Sequence, residues 1–213
     1  MQSSPLYLLR DSPQLFVAFV IAIVVAITVH EFSHAAVATL EGDDTARSQG
    51  RLTLNPISHL DPLGSFFLVV VGFGWGRPTP FTLARLRHRR TGAALVGLAG
   101  PASNFLLAIL SALALRLSHP QGVDLFENSF TVNLLIRFID LNVILGVFNL
   151  LPIPPLDGSR LLSLLLPPSR QGIVYFLDRY GIFLLIGLLF LAPGLLTPVF
   201  LAFERLILRL VGF

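Results

Sequence analysis

The run Val20-Ile21-Ala22-Ile23-Val24-Val25-Ala26-Ile27-Thr28-Val29-His30-Glu31-Phe32-Ser33-His34-Ala35-Ala36-Val37-Ala38 decides how the rest of the chain is read. It lies in an apolar stretch from Leu15 to about Leu40, long enough for one helix across a bilayer. Inside it sits the pattern His-Glu-x-x-His. Residues four apart share a helix face, so His30 and His34 can both turn a ring nitrogen to one metal ion. Glu31, beside the first of them, can reach a metal-bound water and take its proton during attack on a carbonyl. So short a pattern recurs by chance, and a buried His or Glu can be a satisfied core residue. The apolar flanks weigh against that. Ionisable groups at membrane depth are costly, and His30, Glu31 and His34 together need a common partner, which a divalent cation supplies. A bilayer core is ~30 Å thick and a helix rises ~1.5 Å per residue, so His30 lies ~22 Å beyond Leu15, inside the membrane but near one face.

Composition agrees. The chain has 213 residues, of which 54% are hydrophobic and 13% charged. Its mean hydropathy is +0.78, the signature of a polytopic membrane protein. We expect a single integral-membrane domain over 1–213. With no cysteine, a metal must be held by histidine and carboxylate. The net charge of +3 rests on arginine alone, and the arginines follow a membrane topology, which argues against a nucleic-acid partner. A cleavable signal peptide is the competing reading of the N-terminus. Arg10 is offset by Asp11, however, and His30 and Glu31 would precede the cleavage site, so cleavage is not expected.

Taken in order, residues 1–14 read as a polar lead and about 15–40 as the first span. Between 42 and 90 the texture changes. Residues 47–54 alternate weakly, as a strand would, and Asn55-Pro56 and Asp61-Pro62 signal turns. Leu63 to Trp75 is apolar but broken by Gly64, Gly72 and Gly74, too short to cross with ease. We expect 42–90 to form a re-entrant β-hairpin or small sheet on the cytoplasmic side, tolerated at membrane depth only where protein or water covers it. Further spans are expected at about 93–117, 130–151, 172–191 and 195–211, with a short polar loop at 118–127. Arg137 and Asp140, three apart on one face, can pair. The expected architecture is therefore all-α, with about five transmembrane helices, the first three forming a core. If 42–90 does not cross, Arg47, Arg51, Arg77, Arg85, Arg87, Arg89, Arg90, Arg160, Arg170, Arg205 and Arg209 share one side, with Arg10 and Arg116 on the other. The positive-inside tendency makes the first side cytoplasmic.

A catalytic zinc needs three protein ligands and one open position. His88 lies among arginines and His119 in an outer loop, so both read as solvated. Asp157 is the best third candidate. It follows the third span at the depth of His34, where Pro152, Pro154 and Pro155 forbid a regular helix and can leave a carboxylate facing inward. Its rival reading is the N-cap of a helix from Ser159 to Leu166. His59, in Asn55-Pro56-Ile57-Ser58-His59-Leu60-Asp61-Pro62, can line the site, gate it or structure a turn.

Three motifs now stand in order along the chain: His30-Glu31-x-x-His34, Gly100-Pro101-x-x-Asn104, and Asn149-x-x-Pro152 leading to Asp157-Gly158. In this the chain resembles the site-2 protease family, the intramembrane zinc metalloproteases of peptidase family M50, in a minimal form without PDZ or CBS modules. The resemblance implies one zinc ion per chain held by His30, His34 and Asp157, with Glu31 as general base. It implies that Asn149 contacts substrate or the oxyanion near the metal and that Asn104 supports the core beside it. It also implies hydrolysis of peptide bonds in transmembrane segments of single-span membrane proteins, in a bacterial cell membrane, with the site toward the cytoplasm. Two other classes compete: a membrane metal-binding or transport protein, and an inactive scaffold. A transporter would place its sites near the midplane with repeat symmetry, and no internal repeat is present. A scaffold would not need every catalytic position filled.

Overall fold

A computed structural model describes residues 5–120, 122 and 129–213. In order its helices are α1 (Pro5–Asp11), α2 (Pro13–Leu40), α3 (Thr45–Ser48), α4 (Pro62–Val71), α5 (Arg89–Ser118), α6 (Phe130–Asn149), α7 (Gly158–Leu165), α8 (Gln171–Leu191) and α9 (Thr197–Leu210). Four of them, α2, α5, α6 and α8, are long and apolar enough to cross a membrane. They fall where the first four spans are expected. The loop expected at 118–127 lies mostly outside the described residues.

Helices α2, α5 and α6 pack on one another as the central unit. On α2 the buried positions Ala18, Ala22, Ala26, His30, His34 and Ala38 recur every fourth residue. Four alanines bring the neighbouring backbones close, because lipid offers no hydrophobic drive and tight packing must hold the helices. The two histidines continue the same stripe, so the geometry that closes the interface also turns both rings inward. Pro13 opens α2 at a position whose N–H has no helical partner to lose. Gly42, at φ +96°, closes it, with Gly42 N–H on Thr39 O (3.0 Å) and Asp43 N–H on Ala38 O (2.9 Å). This is a Schellman ending, which needs the left-handed conformation that glycine adopts freely.

The segment from 42 to 90 departs from expectation. Among the described residues there is no named strand, and an isolated antiparallel bridge joins Leu60 to Gly76. Where a strand is expected at 47–54, the chain forms the end of α3 and then irregular backbone. Where a hairpin is expected, Asp61 caps a helix: its carboxylate accepts from Gly64 N–H at 2.8 Å, and Pro62 occupies the first turn. At ten residues α4 is ~15 Å long, half a bilayer core. It ends at Gly72 (φ +84°), and the chain runs straight back. Arg77 N–H meets His59 O at 2.7 Å, so the excursion leaves and returns at one point and does not cross. The return lies flush on the helix. A Cβ on Gly64 would sit 2.1 Å from Trp75 O, and one on Gly74 2.1 Å from Gly64 O. The expected strand gives way to a helix because the glycines permit backbone-on-backbone packing that no ladder requires. Part of the expected polar lead is also helical: Pro5 of α1 lies against Gly72 at the tip of α4.

The expected fifth span is the other correction. Helix α9 has fourteen residues, ~21 Å, and is not long enough to cross. Phe203 stacks on Phe105 at 5.4 Å, and the Arg116 guanidinium lies 5.7 Å from the Phe213 ring. The helix thus runs parallel to α5, with Ile207 buried in the cluster that Ala108, Ala112, Val143 and Val147 form between α5 and α6. Its C-terminal end reaches Arg116, so Arg209 does not share a side with the arginines at 85–90. The expected pair within α6 is present, with Arg137 Nη1 3.7 Å from Asp140 Oδ2.

Candidate metal centre

Two glycines on one face of α5 make the floor of the site. A Cβ on Gly100 would lie 2.5 Å from His30 Nε2 and 2.5 Å from His34 Nε2. A Cβ on Gly97 would lie 2.9 Å from Asp157 O. The rings and the Asp157 backbone therefore rest directly on the α5 main chain. Asp157 arrives there because α6 ends at Asn149 and the proline-rich turn folds back. Gly158 permits that turn, since its Cβ would meet Leu150 O at 2.3 Å. Asp157 occupies the cap position of α7, yet its side chain makes no capping bond. It faces the histidines.

His30 Nε2, His34 Nε2 and Asp157 Oδ2 form a near-equilateral triangle with sides of 3.0, 3.1 and 3.2 Å. His30 and His34 are buried. Their other nitrogens decide what the triangle can do. His34 Nδ1 is 2.6 Å from Val96 O, a carbonyl that only accepts, so Nδ1 carries a proton and in the neutral ring Nε2 holds the lone pair. His30 Nδ1 is 2.6 Å from Asn104 Oδ1 and is fixed the same way. With both rings neutral, two lone pairs and a carboxylate oxygen converge on one point. Donors at zinc distances of about 2.0–2.2 Å in a tetrahedron stand about 3.3–3.6 Å apart, so this group fits zinc after a shift of tenths of an ångström. It is the one group of three or more such residues among those described.

Glu31 is half-buried. Its Oε2 accepts from Thr79 N–H at 2.8 Å, and Thr79 Oγ1–H donates to Glu31 O at 3.0 Å. The return limb of the α4 excursion therefore holds Glu31 in place. Asn104 is fully buried and donates from Nδ2 to Asn142 Oδ1 at 2.7 Å. Asn149 is directed elsewhere: its amide donates back along α6 to Leu145 O at 3.1 Å. His59 is fully buried but outside the metal group. Its Nε2–H donates to Thr53 O at 2.7 Å, and Nδ1 has no hydrogen-bond partner. Its peptide oxygen accepts from Arg77 N–H and closes the excursion. His88 lies 3.2 Å from Glu41, with most of its side chain exposed.

Sequence reasoning missed Thr79, the Val96 carbonyl and Asn142. Thr79 carries no signal between two prolines, and a carbonyl never does. Asn142 does carry one, as an amide in the apolar run of α6 after Asp140.

Four apolar helices and an inward-facing His/His/Asp group able to hold a metal mark the class: a multi-pass membrane protein of the metalloprotease kind. Comparison with known proteins then supplies the family. The sequence profile "Peptidase family M50" matches residues 124–191, which include Asp157. Curated relatives carry the name "Putative zinc metalloprotease". YwhC of Bacillus subtilis is 44% identical over 177 residues, 82% of this chain and 80% of its own length. Rip2 of Mycolicibacterium smegmatis is 30% identical over 84% of this chain and 69% of its own, and Rip2 of Mycobacterium tuberculosis 34% over the same shares. The chain belongs to peptidase family M50, the site-2 protease family of zinc metalloproteases. No solved structure matches it.

Proposed function

We propose that this protein is a zinc-dependent endopeptidase that cuts transmembrane segments of single-span membrane proteins, from a site near the cytoplasmic face of a bacterial plasma membrane. One observation carries the reading: two metal donors and the adjoining Glu31 carboxylate lie inside a helix long enough to cross a bilayer, and Asp157, from the turn after α6, meets them as the third donor. His30, His34 and Asp157 would hold one zinc ion and leave a fourth position open. When bound, zinc supplies Lewis acidity, polarising the scissile carbonyl and lowering the pKa of water toward ~7.

The chain's own groups do the rest. Glu31 takes the proton of the attacking water and passes it to the leaving amide nitrogen. Thr79 N–H occupies Oε2, which leaves Oε1 as the oxygen free to move that proton. Asn104 holds His30, and Asn149, by a change of rotamer, would meet the substrate. His59 supports the excursion that carries Thr79. A transmembrane helix hides its amides, so the substrate must unwind locally. The non-helical stretch from Gly72 to Pro80 offers main-chain groups to an added strand beside Glu31. The arginines at 85–90 set the cytoplasmic side. Gly97 and Gly100 lie ~12–17 Å along α5 from Arg89, a depth that water can reach.

The test combines metal content and cleavage on the same detergent-purified samples: wild type, Glu31→Gln and Asp157→Ala against a panel of single-span substrates. The reading expects about one zinc in wild type and Glu31→Gln, less in Asp157→Ala, and cleavage by wild type alone. Cleavage that survives Glu31→Gln would overturn it, as would a wild type that binds no zinc after reconstitution.

A further inference from the structure

We infer that Asn142 is a positioning residue for the metal centre: it sets the orientation of the Asn104 amide and, through it, which nitrogen of His30 is left free to bind metal. The inference rests on the zinc site proposed above and extends it to a residue that touches none of the ligands. Asn142 lies on α6 between the buried residues Ile139 and Val143, and its own side chain is fully buried. An amide at membrane depth needs every one of its polar atoms satisfied, and a leucine of similar size would fill the same space without that demand.

Its hydrogen bonds have a direction, and a backbone carbonyl fixes it. Asn142 Nδ2 lies 2.8 Å from Phe138 O. A carbonyl oxygen only accepts, so this contact must be made by the NH2 end. Asn142 Oδ1 therefore points the other way and accepts from Asn104 Nδ2 at 2.7 Å. The Asn104 amide is fixed in turn: its NH2 end faces Asn142 Oδ1 at 2.7 Å and, at a long 3.5 Å, Ala26 O, so its oxygen accepts from His30 Nδ1–H at 2.6 Å. His30 must then carry its proton on Nδ1 and offer a lone pair at Nε2, the atom that faces His34 and Asp157. Reversing the Asn104 amide would set an NH2 against Nδ1. That favours the other tautomer, with a proton on Nε2 where the metal should be. His34 needs no such relay, because Val96 O fixes it directly. A bond that merely tied α5 to α6 would serve in either orientation; this one serves the metal only as drawn.

The relay makes a prediction that simple helix adhesion does not. Asn142→Leu should weaken zinc binding, read as Kd by competition with a chelator, by about 10- to 100-fold, the usual range for a group that orients a ligating histidine. Replacing Asn104 by Asp gives His30 Nδ1 an acceptor whichever way the side chain faces. In an Asn104→Asp background, Asn142→Leu should therefore change Kd little further. In apo protein labelled with 15N-histidine, His30 should be the Nδ1–H tautomer in wild type and a mixture in Asn142→Leu. If Asn142→Leu does not fold, Asn142→Asp replaces it. Protonated in this apolar setting, its carboxyl can donate to Phe138 O and accept from Asn104, and Kd should stay near wild type. Equal losses in both backgrounds, an unmoved His30 tautomer, or an Asn142→Asp that loses affinity as a leucine would, each overturn the inference while leaving the zinc site standing. A wild type that binds no zinc overturns the site and the inference together.

Discussion

The unit of α2, α5 and α6 and the segment between Leu40 and Arg89 use small residues for different ends. In the central unit, alanines and glycines recur at helical spacing and let helices touch; Gly100 then leaves room for the two ligand rings and Gly97 for the Asp157 main chain. In the segment, Gly64 and Gly74 bring two stretches of main chain flush, and side-chain caps from Asp43, Asn55 and Asp61 fix the turns. The first arrangement is periodic and the second is a set of local devices. The site draws on both: two of its metal donors come from the periodic unit and the third from the turn that follows it, and the contact that steadies Glu31 comes from the segment.

The comparison breaks first at Gly100. Alanine there overpacks both rings at once. At about 1–3 kcal/mol for such overpacking, zinc affinity should fall by about 5- to 150-fold. Gly187→Ala, at a position with open space around it, should leave affinity unchanged. Equal affinities in the two variants would mean that the rings do not rest on α5.

Asp43 sharpens the contrast from the other side. It is fully buried, and its carboxylate accepts from Thr45 N–H at 3.0 Å and also from the Thr45 hydroxyl and Thr82 N–H. Burial would push this carboxyl up, but those bonds outweigh it and its pKa is lowered. A lowered pKa means the stabilisation is complete above the unfolded value of 3.8 and is lost as pH falls below it. Asp43→Asn should therefore cost about 1.5–3 kcal/mol at neutral pH. Thermal unfolding in detergent should show the gap to wild type closing as pH drops below about 4. Zinc affinity at neutral pH should not move, because Asp43 supports the segment and not the donors. A gap that widens on acidification would contradict the assignment.

The smallest effect is expected at Thr79. Thr79→Val removes the hydroxyl bond to Glu31 O but keeps the N–H bond to its carboxylate. At about 0.5–1.5 kcal/mol for a neutral hydrogen bond, cleavage should slow by about 2- to 13-fold with zinc content unchanged. A matching loss of zinc would show that the two regions are not separable in this way.

Legibility in the sequence follows the same division. His30 and His34 can be read from spacing alone because a helix has one period. Asp157 can be read because three prolines announce an unwound stretch at the right depth. Asn142 escapes because the amides of Asn133, Asn142 and Asn149 on α6 give no motif spacing to match, only the cost of burying one of them. The segment was misread where a short apolar run suits strand and helix alike. Asp61-Pro62 reads as a turn and as a helix start, and only the structure shows that Asp61 caps Gly64. Helix α9 was misread because hydropathy does not report direction. Glu204, Arg205 and Arg209 on a short helix suit an element that lays one face on α5 and α6 better than one that crosses.

The central claim is that His30, His34 and Asp157 share one zinc ion, and X-ray absorption at the zinc edge tests it most directly. On reconstituted wild type the account predicts two imidazole nitrogens at about 2.0–2.1 Å, a carboxylate oxygen at about 2.0–2.2 Å and one further light ligand. In Asp157→Ala the carboxylate shell should vanish and zinc occupancy should fall. A wild-type spectrum with three imidazoles, or one that Asp157→Ala leaves unchanged, would contradict it.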